Sequence, residues 1–356
     1  MTEKKTTRLR YAIVSLIIFS LTPLCEKDSM LNGAHSTNAY LGQKITCAID
    51  LGNDMYGSHG LETGFNYELL KRFAHDNDCE VSIISANGNE NYIDSLRKGS
   101  IDIVITHDRD SLDSDGISVL RKVKDCSAWA LSSTDPHKVR QINLWLSHIM
   151  ASEGYDALQK RFYSHSNPHK KAENGIISDI ISPYDEVIRK YAASLGWDWR
   201  MLAAVIYQES RFSIGSRSFR GAQGLMQVMP QTGACYGIDD LFDPEQNIIA
   251  GTRHIGRLQN LMSGYGLEHD ELIKFTLAAY NAGEGRIADC IRLAESKGAD
   301  SRSWDGIVEI IPLMREDSIL EDESVRLGKF HGHETIAYIE NVLSHYEAIC
   351  KVCPEA

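Results

Sequence analysis

The chain has 356 residues, 43% apolar and 24% charged, which is ordinary for a soluble protein and long enough for two hydrophobic cores. Its formal charge of -12 argues against nucleic acid or an anionic membrane surface as a partner, because both repel an acidic protein. Eight cysteines are permissible in an exported chain, but their spacings form no metal framework, and no metal or organic cofactor is implied.

Lys4, Lys5, Arg8 and Arg10 precede an apolar run from Tyr11 to Leu24, short for a membrane span and about right for a signal peptide. Such a pattern can also be a buried helix, but the charge asymmetry favours export. Cys25 closes the run, so residues 1–30 read as a signal peptide or lipoprotein anchor, with outer-membrane attachment through Cys25. Pro23 and Leu24 stand where such a cysteine normally follows a small residue. No other segment looks transmembrane.

Residues 40–163 alternate strand and helix patterns. Lys44 to Asp50, Glu80 to Ile84 and Ile101 to Ile105 read as strands, with amphipathic helices at Gly64 to Ala74 and Tyr92 to Lys98 between them. This is a βαβαβ unit. Gly64-Phe-Asn-Tyr-Glu-Leu-Leu70 and Leu96-Arg-Lys-Gly-Ser-Ile-Asp-Ile-Val104 resemble the first lobe of family 3 periplasmic solute-binding proteins. In that family a second lobe follows the third strand. Here Ile105 is followed within about fifteen residues by Val119 to Leu131, and Asp135 to Tyr163 is similar to the family's closing helices, so the second lobe is expected to be missing. A single lobe lacks half the contacts of a closing cleft and is not expected to bind an amino acid in the usual way; a spacer or packing partner is the simpler role. Residues 164–182, polar and uneven, read as a linker.

From residue 183 to 356 the patterns are helical. In Met201-Leu-Ala-Ala-Val-Ile-Tyr-Gln-Glu-Ser210, Leu202, Val205, Ile206 and Glu209 fall on one helical face, so an acid continues an apolar stripe. Burial raises a carboxyl pKa and keeps a proton available near neutral pH, which makes Glu209 a candidate general acid. The plainer readings are an acid at the edge of the stripe, or one paired with a cation such as Arg211. Downstream, Gly221-Ala-Gln-Gly-Leu-Met-Gln-Val-Met-Pro230 is a glycine-punctuated turn entering an apolar segment that Pro230 interrupts, with Gln227 as an amide donor and acceptor. Phe275-Thr-Leu-Ala-Ala-Tyr-Asn-Ala-Gly-Glu-Gly285 reads as a helix stopped by glycines, with Tyr280 and Asn281 at its end, and His333 starts another helix.

In this order Glu209-Ser210, Gly224-Leu-Met-Gln227, Ala279-Tyr-Asn281 and Glu334-Thr335 with Tyr338 resemble the catalytic domain of family 1 lytic transglycosylases, the goose-lysozyme-like enzymes that cleave peptidoglycan glycan strands. Ser182-Pro-Tyr-Asp185, Gly196-Trp-Asp-Trp199 and Ile206-Tyr-Gln-Glu-Ser-Arg-Phe212 are similar to the membrane-bound F group of these enzymes. The expected fold is therefore multidomain: an N-terminal α/β single-lobe solute-binding-like domain and a C-terminal mainly α lysozyme-like domain. The resemblance implies one Glu serving as acid and base, Glu209, acting between MurNAc and GlcNAc and leaving a 1,6-anhydro end. It also implies substrate contacts at Gln227, Tyr280 and Asn281, a local orienting role for Ser210, and a deeper Glu334 positioning groups or holding a charge network. The partner is then the glycan strand of a Gram-negative-type cell envelope.

Glycosidases usually pair two carboxylates, and no second one stands out: Asp239, Asp240, Asp243 and Glu284 read as turn or capping residues. A hydrolytic muramidase of the same fold, a non-enzymatic wall binder and a solute sensor remain alternatives. Cys235 and Cys290 could pair, and Cys350 and Cys353 form a local disulfide or two free thiols.

Overall fold

The computed structural model describes residues 38–51, 59–85, 91–107, 112, 116–120, 127–163 and 167–354, with no side-chain description at 59, 60, 85 and 320. The expected signal or anchor, Cys25 included, lies outside the described residues. Within them no helix is long and apolar enough to cross a membrane.

The first half is built on β1 (Lys44–Asp50), whose Ile45, Cys47, Ala48 and Ile49 are all buried, the near-continuous apolar run that a central strand needs. Its neighbours are β2 (Glu80–Ser85) and β3 (Ile103–Thr106), both parallel to it, with Lys44 opposite Glu80 and Cys47 opposite Ile103. Helix α1 (His59–Asp76) connects β1 to β2, and α2 (Tyr92–Arg97) connects β2 to β3. Between β3 and β5 (Ala128–Ser132) the described residues add β4 (Ile117–Val119), which joins the same sheet in the order β2-β1-β3-β5-β4. β5 runs antiparallel to β3, with Ile103 opposite Leu131. The sheet closes with α3 (Pro136–Ile149), which Asp135 caps by accepting from the His137 and Lys138 amides, and with α4 (Glu153–Tyr163).

Helix α1 buries Phe65, Leu69, Leu70 and Phe73. Its one fully buried amide, Asn66, is satisfied: it accepts from Trp129 Nε1 at 2.8 Å and donates to Ser127 Oγ and the Glu62 carbonyl.

The segment expected to be a linker contains α5 (Pro168–Glu173), capped by Asn167 and started by Pro168, with Pro168 and Lys171 buried. The sequence pattern missed it because the helix is only six residues long and its partner lies far away in sequence.

The second half is helical: α6 (Asp185–Ala192) with a 3-10 turn at Ala193–Leu195, α7 (Trp199–Ser210), α8 (Pro230–Cys235), α9 (Pro244–Ser263), α10 (His269–Ala282), α11 (Glu284–Lys297), α12 (Trp304–Ile310), and α13 (His333–Val352). Pro230 begins α8 rather than merely interrupting a segment, since a first-turn position lacks a hydrogen-bonding need for its missing N–H. Nine of the twelve residues of α7 are buried, so this helix is apolar nearly all round and forms the middle of the bundle against α6 and α13. Its start is tied to the end of α13: Asp198 caps it, Arg200 pairs with Asp198 and donates to the Cys353 carbonyl, and Tyr346 donates to Asp198. The Asp198 network therefore fixes the register of α7 against α13. None of the six cysteines in the described residues is in a disulfide, so Cys235 and Cys290 do not pair and Cys350 and Cys353 follow the two-thiol alternative; Cys290 is buried while Cys235 faces solvent.

The two halves share one continuous core. Gly64 on α1 sits against Tyr184, just before α6, and against Phe162 on α4; a Cβ there would collide with the Tyr184 hydroxyl and lie 2.7 Å from the Phe162 ring. That hydroxyl is buried without a hydrogen-bond partner. Gly64→Ala is therefore expected to destabilise the protein by about 2 kcal/mol through overpacking, while Tyr184→Phe should be neutral or stabilising by about 1 kcal/mol because it removes an unsatisfied polar group. Urea denaturation of both variants beside the parent checks the pair, and equal losses would contradict this account of the junction.

Candidate active site

Glu209 occupies the last turn of α7, following Leu202, Val205 and Ile206, each fully buried. The helix stops because Arg211 and Phe212 both adopt left-handed backbone, with φ of 51° and 64°. Such angles are strained for non-glycine residues and must be held by their surroundings. Arg211 Nη1 donates to the Tyr207 hydroxyl at 2.7 Å, and its guanidinium lies over the Tyr207 ring. Arg211 thus does not neutralise the acid, and the plainer salt-bridge reading does not hold.

One group meets the carboxyl directly. Tyr338, on α13, donates its hydroxyl to Glu209 Oε1 at 2.6 Å. Burial pushes the Glu209 carboxyl from 4.5 up to about 7, against the opposing pull of the Tyr338 hydrogen bond, which favours the ionised form. Burial, reinforced by the charge of Glu209, holds the hydroxyls of Tyr280 and Tyr338 well above their usual range, so both stay neutral donors.

The facing wall is a loop. A narrow hairpin, bridging Arg217 to Gln223 and Gln223 to Val228, delivers Gly224, Met226 and Gln227 to the site. Gly224 has φ +74°, and a Cβ there would strike the Asn247 amide and come within 2.5 Å of the Leu241 carbonyl, so no other residue fits. Asn247, fully buried in the first turn of α9, accepts from the Met226 amide at 2.8 Å and donates to the carbonyls of Gln223 and Leu241. Tyr280, at the end of α10, donates to the Met226 carbonyl at 2.7 Å. Gln227 has a left-handed φ of 48°, and its Nε2 donates to the carbonyls of Ser216 and Gly224, which fixes the amide plane.

Asn281 is exposed and accepts from Thr335 Oγ1 at 2.9 Å, joining the end of α10 to the start of α13. Ser210 is buried and donates to the Ile206 carbonyl, so it acts on the helix backbone and not on the carboxyl. Glu334 is not deeper in the site: it is exposed in the first turn of α13, where an acid is favoured by the helix dipole, and it borders a surface cavity of about 440 Å³ with Arg220 and Asn281. The buried neighbour is Thr335, because the helical period turns position 335 inward together with 338.

The other acids are engaged elsewhere. Asp240 accepts from the amides of Phe242 and Asp243, Asp243 caps α9, Glu284 pairs with Arg257, and Asp239 is exposed. None contributes to the proton affinity of Glu209. No group of three His, Cys, Asp or Glu in the described residues is arranged to hold a metal ion. Three residues escaped the sequence reading. Tyr338 stood inside a quoted motif without a role, Asn247 was an amide within an apolar stretch, and His254 packs against Tyr280 with ring centroids 5.6 Å apart. A polar residue on an apolar helical face was the available signal for the first two.

Residues 186–302 match the family model described as transglycosylase SLT domain. The membrane-bound lytic murein transglycosylase F of Desulfosudis oleivorans is 32% identical over 227 residues, covering 62% of this chain and 49% of that protein. The protein of the same name from Shewanella woodyi is 30% identical over 239 residues, covering 64% and 48%. The chain thus spans about half the length of these curated relatives. Among solved structures, an inactive mutant of the lytic transglycosylase Slt from Pseudomonas aeruginosa matches with 26% identity and a TM-score of 0.35, over 47% of this chain and 24% of that one. The 70 kDa soluble lytic transglycosylase of Escherichia coli matches with 22% identity and a TM-score of 0.32, over 60% and 35%.

The raised carboxyl has a consequence for stability. Below about pH 4.5 Glu209 is protonated in both folded and unfolded chains; as pH rises the unfolded chain ionises first, and stability falls until the folded group also ionises near pH 7. Above that the loss is complete, about 3 kcal/mol at 1.36 kcal/mol per pH unit. Glu209→Gln should therefore stabilise the protein progressively between about pH 5 and pH 8, read from melting temperature against pH. A stabilisation that does not grow with pH would contradict the burial of the acid.

Proposed function

We propose that the chain, which carries a transglycosylase SLT domain at residues 186–302, is a peptidoglycan lytic transglycosylase that cleaves the β-1,4 bond from MurNAc to GlcNAc. Its single catalytic residue is Glu209. The observation that carries this reading is a carboxyl raised to about 7 by burial and, among the described residues, touched by one neutral donor and influenced by no second carboxylate. Such a group is protonated often enough near neutral pH to act as a general acid, and basic enough once ionised to take a proton back.

Glu209 protonates the glycosidic oxygen as the bond to the MurNAc anomeric carbon breaks, and the substrate's own 2-acetamido group stabilises the cationic centre in place of a protein nucleophile. The ionised Glu209 then removes the proton from the MurNAc 6-hydroxyl as that oxygen attacks the anomeric carbon. The donated proton leaves on the 4-hydroxyl of the departing GlcNAc, the 6-hydroxyl proton restores the acid on Glu209, and the product is a 1,6-anhydro end. Tyr338 orients the carboxyl through its hydrogen bond. Gln227, fixed by the Ser216 and Gly224 carbonyls, frames the cleft, and Tyr280 holds the Met226 carbonyl in place. Asn281 supports the acetamido side, and Glu334 is a rim residue.

A hydrolytic muramidase of this fold would require a base to activate water. The engagement of Asp240, Asp243 and Glu284 in turns, caps and an ion pair favours the lyase. Non-enzymatic wall binding and solute sensing give no reason to bury an acid. The relatives named above are membrane-bound enzymes, and the basic, apolar N-terminus ending at Cys25 supports export and envelope attachment for this chain too.

Digestion of purified sacculi followed by mass spectrometry should give anhydro ends with the parent, and a rate lowered about 100-fold or more for Glu209→Gln. Reducing ends carrying an added water would sink the lyase reading. Because the Tyr338 hydroxyl lowers the Glu209 pKa, Tyr338→Phe should move the alkaline limb of the kcat profile to higher pH. A limb displaced to lower pH would overturn the role given to that hydrogen bond.

A further inference from the structure

We infer that helix α1 of the N-terminal lobe positions the cleft loop of the catalytic half, with Tyr67 as the positioning residue. Two neighbouring points on one face of α1, Thr63 and Tyr67, reach across the junction. Tyr67 is buried and donates its hydroxyl to Asp243 Oδ2 at 2.7 Å, a partner 176 positions away, while its ring meets Phe242 edge-on with centroids 5.6 Å apart. Burial and the bond to Asp243 hold the Tyr67 hydroxyl far above its usual range, so it remains a donor.

What Asp243 does gives the contact its meaning. Its other oxygen, Oδ1, accepts from the Gln246 amide and caps α9, and its carbonyl accepts from the Asn247 amide. Asn247 in turn holds the Met226 amide and the Gln223 and Leu241 carbonyls, and so sets the path of the loop that presents Gln227. Thr63 meets the same loop at its other end. It packs so closely on Gly215 that a Cβ there would lie 3.2 Å from Thr63 Cγ2, and the next residue, Ser216, supplies the carbonyl that fixes Gln227 Nε2. The lobe therefore touches the start of the loop directly through Thr63 and reaches its Met226 segment indirectly, through Asp243 and Asn247. A mere spacer would have no reason to place a buried hydroxyl on the cap of the helix that carries Asn247.

The loop frames substrate while the acid sits on α7, so loosening the loop weakens substrate binding more than proton transfer. This kinetic part rests on the lytic transglycosylase reading; the mechanical part does not. The test compares the full chain with Tyr67→Phe, which keeps the ring and removes the hydroxyl. Hydrogen exchange at the Met226 and Val228 amides should rise at least about five-fold, a factor RT ln 5 or about 1 kcal/mol that matches one lost hydrogen bond. Amides of α11 should not change. On glycan strands KM should rise by a similar factor with kcat within about two-fold, and the effect should be less than additive with that of Gln227→Ala, as expected for groups acting through one element. Unchanged exchange at Met226 and Val228, or an equal rise throughout the helical half, would overturn the inference. So would an unchanged KM, a fall in kcat alone, or strict additivity with Gln227→Ala. If the parent cleaves no glycan, the function proposed above falls, and the exchange comparison still decides whether α1 holds the loop.

Discussion

The helical half is organised around a carboxyl, Glu209, that is half-buried at the end of an otherwise buried helix. Removing a carboxyl from water disfavours its charge, and here one tyrosine hydroxyl is the compensation. A fully solvated Glu209 would be ionised near neutral pH and could not donate. A Glu209 paired with a cation would be ionised even more firmly. The fold avoids both: α7 is enclosed by other helices, and Arg211, the nearest cation in sequence, is turned away by left-handed backbone onto Tyr207.

Enclosing α7 requires that its partners keep register, because Tyr338 reaches Glu209 from a different helix 129 positions away. The Asp198, Arg200 and Tyr346 cluster does this at the opposite end of the α7 and α13 pair. A second contact joins these helices nearer the site, where His345 meets Gln208 at 3.0 Å and His169 of α5 at 2.7 Å. Burial, with His169 and Arg211 nearby, lowers His345 to about 4, so it is neutral near pH 7 and adds no charge beside the acid.

The opposite wall depends on backbone groups that a buried loop must satisfy. Asn247 supplies one acceptor and two donors, matching an amide N–H and two carbonyls, and no hydrocarbon side chain could replace it. This need ties the glycines at 224 and 251 to their positions: a Cβ on Gly251 would lie 2.5 Å from the Met226 sulfur. The α/β half completes the frame by packing α1 on the same region, so one core runs through both halves.

Much of this was readable from residues alone, wherever the information is local. Strand positions β1 to β3, the stop of α10 at Gly283 and the apolar stripe ending in Glu209 follow from side-chain periodicity and from backbone angles only glycine adopts easily. The ordered motifs likewise brought Gln227, Tyr280 and Asn281 to notice. Tertiary structure decided what periodicity cannot encode: that Glu334 faces solvent while Thr335 and Tyr338 turn inward, that Ser210 serves the helix backbone, and that a supposed linker holds a helix against α13. It also decided that Cys235 and Cys290 stay apart, and that Tyr67 meets Asp243. A hydrogen bond across 129 or 176 residues leaves no periodic trace in sequence, because its energy depends on how whole helices pack and on which groups that packing withdraws from water.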